Sequence, residues 1–579
     1  MRNRKLLLGV VASSTMVLSM AVALASSPSA AAPKTAPAAK SAASAGSDFV
    51  VLYKNAGAGA AALADITRAG GRVVSQNTKL GYAVVKSTNP KFASTIDASP
   101  AVLGAARNRV IGSVRPMQRA QAQDVERLIA ERASLRGSGG QADAPAVAGN
   151  AAAVTPEPLA NKQWDMRQIG ATPAGSYAKN PGKRGVLVGV IDTGVDGTHP
   201  DISPNFNAAL SRNFTTDMPE IDGPCEHPSC VDPANEDDNG HGTHVASTIG
   251  SPINGLGIAG VAPNVTLVNL RAGQDAGFFF LKATLDALTY AGDIGVDVVN
   301  MSFFTDPWLF NCLNNPADTP AEQIEQRVIR EATQRALNYA THRGVLPVAA
   351  EGNEATDLGH PTVDDTSPDF PLDTSRHRVV NNSCITVPTE SNGVLVVSAT
   401  GPTTRKAYYS NWGTEQTDVA APGGDAYDSP DNTLDVRGLV LAAYPLNVAQ
   451  ADGTLNPDGT PNTPFVVRDC KGTVCAYYQY LQGTSMAAPH AVGVAALIVS
   501  HFGKRDRAHG GLGLNASRTR SLLFDTAVPH ACPQPRLFHY TRIRTNGTVA
   551  EADAFCAGPI QNNGFYGHGI VNAYAAVTG

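Results

Sequence analysis

Short apolar runs separated by turn-forming residues characterise the chain between residues 48 and 113. The runs DFVVLY, GRVVSQ and LGYAVVK each have the length and alternation of a strand. FASTIDASPAV predicts a short helix, and AARNRVI predicts a last strand. This order predicts a small α+β domain with a βαββαβ-like arrangement over residues 48–113.

From residue 161 onwards, buried strands alternate with amphipathic helices. GVLVGVI (185–191) is an apolar run too short for a helix, and NVTLVNL, VDVVNM and VLPVAA have the same character. LKATLDALTYAGDIG has leucines at helical spacing and ends at Gly295, and a longer amphipathic pattern ends at Gly344. The alternation predicts an α/β domain over 161–579, with a mostly parallel sheet between helical layers.

Two stretches lack the periodicity of a folded domain. Residues 26–47 are mainly Ala, Ser, Pro and Lys, so we expect them to be disordered. Residues 117–135 have the pattern of a charged, exposed helix, and a Gly/Ala/Pro-rich stretch follows. We therefore predict a processing linker over 114–160, accessible to cleavage.

The first residues have the features of an export signal. Three basic residues among the first five precede an apolar run to Leu24, and Ala23-Leu24-Ala25 offers a small-x-small site for signal cleavage. The alternative is an uncleaved anchor helix, which the small residues after Ala25 disfavour. We predict a signal peptide over 1–25 and a secreted, extracellular protein without a stable membrane anchor.

Composition narrows the class of partner. Charged residues are 16% of the 579 and hydrophobic ones 43%, a balance typical of globular proteins. The net charge is −5 and no long Lys/Arg block occurs, so nucleic acid is not an expected partner.

All eight cysteines lie after residue 220. In an exported chain an even number of cysteines predicts disulfides. CEHPSC could also form a metal site through His227, which the oxidising compartment disfavours. Proximity favours three pairs and leaves a fourth by elimination: Cys225–Cys230, Cys470–Cys475, Cys532–Cys556 and Cys312–Cys384.

The first candidate catalytic residue lies directly after a predicted strand. Asp192 follows GVLVGVI and precedes Thr-Gly, a position suited to holding an imidazole, although such residues also cap turns. His241 and His244 lie at an apparent helix start in DDNGHGTHVAST, without the spacing of a metalloprotease. Each of them alone is more often structural.

Two further residues have the chemistry of an acyl-transfer site. Asn353 in VAAEGNEA offers a neutral amide that can stabilise an oxyanion, although alone it fits a turn. Ser485 in LQGTSMAAPHAVGVAALI lies at a helix start, where free N–H groups favour negative charge. It can serve as a cap or as a nucleophile.

The order Asp192, His241, Asn353, Ser485, with the motifs VIDTGVDGTHPD, NGHGTHVAST, GIAGVAPNVTLV, VVNMS, VAAPGGD and LQGTSMAAPHAVGVAALI, resembles the subtilases, the subtilisin-like serine peptidases. The resemblance covers nearly all of residues 161–500. It implies a three-layer subtilisin-like fold. It also implies that the N-terminal α+β unit is a propeptide and that YGHGIVNAYAAV forms the closing helix.

The resemblance also implies roles. Ser485 is the nucleophile, His241 the general base and acid, and Asp192 the residue that orients His241. Asn353 and the N–H of Ser485 bind the oxyanion, and Ser302 and Gly352 contact substrate. His244 and His490 are then structural, and the chemistry requires no cofactor.

Departures from the family pattern concern substrate and metal. Phe303 and Phe304 stand where many members of the family have Leu and Gly, along the strand that lines the first specificity pocket. Glu351 and Glu354 either favour basic substrate side chains or face solvent. A second feature, formed by Asp201, Asn254 and the loop SPINGLGIAG, is either a structural Ca²⁺ site or a loop ordered without metal.

The resulting hypothesis is a secreted serine endopeptidase, made as an inactive precursor and autoprocessed. Its expected partners are polypeptide substrates and its own propeptide, which acts as inhibitor and chaperone, and we expect a monomer. One alternative is a binding or inhibitory protein on a peptidase scaffold. Another is an esterase, which the GTSMA context disfavours because it lacks Gly-x-Ser-x-Gly.

Overall fold

The computed structural model describes residues 47–108, 126–128, 132, 135, 155–371 and 373–579. The predicted signal peptide therefore lies outside the described residues. So do the predicted disordered segment, apart from Ser47, and most of the predicted linker.

The N-terminal region has the predicted βαββαβ order. Its elements are β1 (Ser47–Tyr53), α1 (Gly59–Arg68), β2 (Arg72–Asn77), β3 (Tyr82–Ser87), α2 (Phe92–Ile96) and β4 (Val102–Arg107). The four strands form an antiparallel sheet in the order β2-β3-β1-β4. Side chains of β1 alternate between the two faces of the sheet, so Val51 packs with α1 and α2 while Val50 packs against the larger region.

The larger region contains sixteen strands and eight helices among the described residues. Its strands are β5 (Leu187–Ile191), β6 (Arg212–Asn213), β7 (Thr266–Arg271), β8 (Val298–Met301), β9 (Leu346–Ala350), β10 (Val363–Asp364), β11 (Arg378–Val379), β12 (Leu395–Thr400), β13 (Val419–Pro422), β14 (Val440–Ala443), β15 (Val466–Lys471), β16 (Val474–Leu481), β17 (Lys504–Arg505), β18 (Leu512–Gly513), β19 (Leu537–Ile543) and β20 (Val549–Phe555). Its helices are α3 (Trp164–Gln168), α4 (Ser176–Lys179), α5 (His241–Gly250), α6 (Leu281–Ile294), α7 (Pro320–His342), α8 (Leu446–Ala451), α9 (Thr484–Phe502) and α10 (Ala516–Thr526).

Seven of these strands form the central sheet, in the order β13-β12-β9-β8-β5-β7-β6. Every pairing in it is parallel. Successive residues alternate between two cores: Val298 of β8 packs with α5 and α9, and Val299 packs with α6 and α7. Both faces are therefore covered by helices, which explains why these strands are apolar runs.

Local sequence defines the helices on the second face. Helix α7 begins with a capping box in which Thr319 accepts from the Glu322 N–H and the Glu322 side chain returns to the Thr319 N–H. Helix α6 ends at Gly295, as predicted, in a left-handed conformation with φ 73°. The N-terminal sheet packs on α6 and α7, where Arg335 Nη1 donates to the Tyr53 carbonyl at 2.9 Å.

Helix α9 passes through the centre of the molecule. Its length and mean hydropathy of 1.4 are sufficient for a membrane span, but 89% of that window is buried inside the protein. Gly493 allows close packing, because a Cβ there would lie 2.4 Å from Val261 Cβ. The helix is therefore a core helix.

The eight cysteines are arranged in the four predicted pairs, with S–S distances between 2.04 Å and 2.12 Å. Cys312 and Cys384 lie in a small apolar cluster with Leu309, Phe310 and Leu358. The other three pairs hold local loops and hairpins.

Two sequence predictions are wrong in the described residues. In the segment 117–135, predicted as an exposed helix, Glu126, Arg127 and Leu128 are buried, because the larger region supplies their partners. The closing helix is reduced to a single 3₁₀ turn, Ala575–Val577. Before it, Ile570 makes bridges to Ala420 and Val528, a pairing that extends the backbone and excludes a helix.

Candidate active site

Asp192 lies at the carboxyl end of β5, an inner strand of the central sheet, and is fully buried. Its Oδ1 accepts from the Thr193 N–H at 2.8 Å and lies 2.7 Å from Nδ1 of His241. Helix α5 packs close to the strand end, since a Cβ on Gly242 would lie 2.0 Å from the Gly194 carbonyl oxygen. That glycine lets the helix begin beside Asp192.

His241 is the first residue of α5, after Gly240 in a left-handed conformation with φ 92°. Its Nδ1 is bound to Asp192, so its Nε2 faces a cavity that is also lined by Asn353 and Ser485. Nε2 lies 3.4 Å from Glu126 Oε2 in this cavity. Burial lowers the pKa of His241, but the carboxylates of Asp192 and Glu126 outweigh burial and raise that pKa well above its usual value. The imidazolium form is therefore favoured in this chain.

Ser485 is the second residue of α9, at the helix end that carries free N–H groups. Its Oγ donates to Glu126 Oε1 at 2.6 Å and lies 3.4 Å from the Ser302 carbonyl oxygen. Among the described residues, the Ser485 hydroxyl makes no hydrogen bond to His241. The carboxylate of Glu126 lies where a nucleophile–base contact would form.

Asn353 follows β9, and its side chain contacts the same Glu126 carboxylate as Ser485. Its Oδ1 accepts two hydrogen bonds of 2.9 Å from Thr484, one from the backbone N–H and one from Oγ1. The amide nitrogen is thereby turned toward the cavity, where it donates to Glu126 Oε1 at 3.1 Å. Sequence reasoning missed Thr484, and its only sequence signal is its place before Ser485 in GTSM.

Ser302 and Gly352, predicted to contact substrate, both line the cavity. Ser302 Oγ donates to the Ser485 carbonyl at 3.1 Å. Gly352 has φ 110°, and a Cβ there would lie 2.3 Å from Asn411 Nδ2. A side chain at residue 352 would therefore be both strained and blocked.

Aromatic rings form one wall of the cavity. Phe303 stacks on Phe279 with the ring centroids 4.1 Å apart and an angle of 2° between the planes. Phe304 also lines the cavity and packs against the cluster that contains Leu309. The wall is therefore apolar on this side, as a reshaped specificity pocket would be.

Glu351 and Glu354 have different environments. Glu351 is fully buried away from the cavity and accepts from Thr417 Oγ1 at 2.6 Å. Burial raises its pKa, and Lys406 lies close enough to oppose that shift. Both predicted alternatives, substrate contact and solvent exposure, are wrong for Glu351. Glu354 lines the cavity and accepts from Asn411 Nδ2 at 2.6 Å.

His244 and His490, the two histidines predicted to be structural, are buried inside the protein. His244 Nε2 contacts the Gln479 carbonyl oxygen at 3.0 Å, and burial lowers its pKa to about 3. His490 lies between the Met486 carbonyl oxygen and Asp165. Within the described part of the chain, neither ring makes a hydrogen bond to a residue that lines the cavity.

In the candidate calcium site, the oxygen atoms of Asp201 and Asn254 accept hydrogen bonds from protein groups. Asp201 Oδ1 accepts from Asn254 Nδ2 at 3.0 Å, and its Oδ2 accepts from Tyr478 Oη at 3.1 Å. Lys471 Nζ, near the tip of the β15–β16 hairpin, donates to the Asn254 carbonyl at 2.6 Å. These oxygens would be the ligands of a calcium ion. These donors, one of them a cationic ammonium group, do not fit a calcium ion bound at the same oxygens.

Acidic groups elsewhere in the described residues could hold a metal ion. The carboxylates of Asp217, Glu226 and Asp232 have oxygens within 4.8 Å of one another. The buried guanidinium of Arg271 lies 2.7 Å from Asp232 and 2.5 Å from Asp275. A protein cation therefore already lies among these carboxylates.

Comparisons with known proteins agree with this geometry. The sequence model of the subtilase family matches residues 183–569. Subtilisin DY of Bacillus licheniformis is 27% identical over 343 residues, which cover 59% of this chain and 84% of that protein. An alkaline protease of Alkalihalobacillus alcalophilus is 28% identical over 314 residues, and the match spans 54% of this chain and 54% of that protease, about half its length.

Solved structures give the same fold. The epidermin leader peptide processing serine protease of Staphylococcus aureus superposes with a TM-score of 0.58 at 20% identity, over 92% of this chain and 98% of that one. Fervidolysin of Fervidobacterium pennivorans, a keratinolytic enzyme related to subtilisin, gives 0.53 at 21% identity, over 93% of this chain and 62% of that one. The three-layer α/β fold with a mostly parallel sheet is thereby confirmed. The family match covers most of the chain, and the chain therefore belongs to the subtilase family of subtilisin-like serine peptidases.

Proposed function

We propose that this protein is a secreted, monomeric serine endopeptidase made as an inactive precursor, which hydrolyses peptide bonds of polypeptides bound in extended form. Asp192, His241 and Ser485 form its catalytic triad. Asn353 and the N–H of Ser485 form its oxyanion site. The precursor removes its own N-terminal region during maturation.

Acylation begins when His241 Nε2 accepts the Ser485 Oγ proton as Oγ attacks the peptide carbonyl carbon. The carbonyl π electrons move to oxygen, and Asn353 Nδ2 stabilises the resulting oxyanion. The tetrahedral intermediate collapses as His241 returns the proton to the leaving amine. The C–N bond breaks, and an ester to Ser485 remains.

Deacylation repeats these steps with water. Nε2 of His241 takes a proton from water, whose oxygen attacks the ester carbon. The C–Oγ bond breaks, Ser485 recovers its proton, and a peptide with a free carboxyl group leaves. Asp192 stabilises the imidazolium in both halves.

One observation carries the proposal. Ser485 Oγ, Asn353 Nδ2 and His241 Nε2 lie 2.6, 3.1 and 3.4 Å from the oxygens of a single carboxylate, that of Glu126. Nucleophile, oxyanion donor and base therefore converge on a volume the size of one carboxyl group. The bond of 2.7 Å between His241 and Asp192 fixes the imidazole in the orientation that this chemistry needs.

The test measures hydrolysis of a peptide mixture by the processed wild-type protein. The matched control is the Ser485→Ala chain after an added peptidase has cut off its N-terminal region and has been removed. Wild-type protein is expected to produce new peptide N-termini, and the alanine variant is expected to produce none. The same variant, followed by gel during export, is expected to keep its N-terminal region. Equal hydrolysis by both proteins would refute the assignment of Ser485, and normal processing of the variant would refute autoprocessing.

A further inference from the structure

The carboxylate of Glu126 contacts every group to which the proposed reaction assigns bond-making. Its Oε1 accepts from Ser485 Oγ at 2.6 Å and from Asn353 Nδ2 at 3.1 Å, and its Oε2 lies 3.4 Å from His241 Nε2. Glu126 is only 5% exposed. Its side chain is therefore bound within the site and does not merely rest at the rim.

The residues around Glu126 hold it there. Its backbone carbonyl accepts from the Gln482 N–H at 3.2 Å, next to the nucleophile loop. The following residue, Arg127, donates to the Asn239 carbonyl at 2.7 Å and to its Oδ1 at 3.1 Å. Leu128 is buried in the main core cluster. Three consecutive residues thus bind the surface next to the triad.

The nucleophile loop is shaped for this side chain. Gly483 has φ 154°, and a Cβ there would lie 2.9 Å from Cγ of Glu126. Any larger residue at 483 would collide with the bound glutamate.

The chemistry of a carboxylate explains what this contact does. A carboxylate anion is a poor electrophile, so Ser485 Oγ does not attack its carbon and is not acylated by it. Its oxygens occupy the position of the oxyanion and of the product carboxyl group, and the Ser485 proton is directed to Glu126 instead of His241. The charges facing His241 are Asp192, at the end of β5, and Glu126, while His244 on the same helix is neutral near pH 7. The two carboxylates outweigh burial and raise the pKa of His241, which favours the form in which Nε2 already carries a proton.

We propose that the oxyanion site is a carboxylate-binding site, occupied in the unprocessed chain by the Glu126 side chain, and that this contact keeps Ser485 unreactive until the segment leaves. The inference rests on the proposed function, and it identifies the group that blocks the peptidase activity before processing. Glu126 acts as a bound anion and not as a scissile residue, because its side-chain carboxylate, and not its peptide carbonyl, lies at Ser485.

The experiment uses the full-length chain made by cell-free synthesis and treated at once with a fluorophosphonate probe. A gel separates intact from processed chains, so the labelling rate of each is measured. Glu126→Gln keeps the shape and removes the charge, and Glu126→Ala removes the carboxylate. Asp65→Asn is the charge-matched control, since Asp65 contacts Arg68 and Ser99 in the N-terminal region.

Both Glu126 variants are expected to label at least about tenfold faster than wild type in the intact band, because charge-assisted hydrogen bonds are lost. Asp65→Asn is expected to label like wild type. If intact wild type and both Glu126 variants label equally slowly while processed chain labels rapidly, the proposal is overturned and the proposed function stands. If processed chain does not label at all, the proposed function itself fails.

A second measurement tests carboxylate binding without relying on substitution alone. Sodium acetate is expected to slow labelling of the intact Glu126→Ala chain in proportion to its concentration, because acetate can enter the vacated site. Acetamide, of the same shape and uncharged, is expected to have no effect. Equal effects of acetate and acetamide would refute a carboxylate site, and circular dichroism confirms that the variant is folded.

Discussion

Thr484→Val tests whether the hydroxyl of Thr484 positions the proposed oxyanion donor. Thr484 Oγ1 supplies one of two donors to Asn353 Oδ1, at 2.9 Å, and accepts from the Gly352 N–H at 3.0 Å. Valine keeps the shape of threonine and removes both hydrogen bonds. Asn353 then keeps only the backbone donor, so its amide nitrogen is held less firmly.

The expected loss follows from these two bonds. One lost hydrogen bond costs about 0.5–1.5 kcal/mol, and the part-buried Gly352 N–H left without its acceptor adds to this. A total of about 1–2 kcal/mol of transition-state stabilisation corresponds to a kcat about 5- to 30-fold lower. Removing an oxyanion donor outright costs about 10²–10³ in kcat, a magnitude measured on a member of this family, which sets the upper bound.

Steady-state hydrolysis of a chromogenic peptide by the processed enzyme measures the effect. KM is expected to change little, because the lost contact acts on the oxyanion and not on substrate binding. Thr484→Ser retains the hydroxyl and is expected to stay near wild type. A valine variant with wild-type kcat, or a serine variant as slow as the valine one, would refute the positioning role.

Three further outcomes are expected. In the unprocessed chain, Glu126→Gln is expected to lower the pKa of His241, because one of the two carboxylates that stabilise the imidazolium is lost. An NMR titration of the His241 ring measures this pKa, and an unchanged pKa would contradict the contact. Replacing Cys312 and Cys384 by serine removes a disulfide whose cysteines are 72 positions apart, and it is expected to lower the free energy of unfolding by about 4 kcal/mol. Guanidinium titrations measure this loss, and a loss below about 1 kcal/mol would contradict the expectation. Added Ca²⁺ leaves hydrogen exchange of loop 251–260 unchanged, because side-chain donors already occupy its oxygens; slower exchange with Ca²⁺ contradicts this.

Much of the fold followed from local pattern. Strands such as β5 and β9 are apolar runs because helices cover both faces of the sheet, and α6 ended at Gly295 because only glycine adopts that conformation without strain. The positions of Asp192 and His241 were predictable for a related reason. Parallel strands bring their carboxyl ends, and the loops that follow, to one edge of the sheet.

Residues whose roles depend on distant contacts were not predictable. Thr484 orients Asn353 across 131 positions of sequence, and Glu126 reaches Ser485 across 359. A charged pattern such as that of 117–135 indicates exposure unless a partner surface supplies donors, and no local pattern reveals that surface. Glu351 is a further case, since its buried carboxylate accepts a hydrogen bond from Thr417, 66 positions away.

The central claim is that Ser485 is a nucleophile served by His241 and Asp192. Its most direct test is mass spectrometry of the processed protein after fluorophosphonate treatment. We predict one modified peptide, with the phosphonyl group on Ser485, and loss of that modification in a His241→Ala chain that an added peptidase has processed. Modification of another serine, or an unmodified Ser485 in folded and processed protein, would contradict the account.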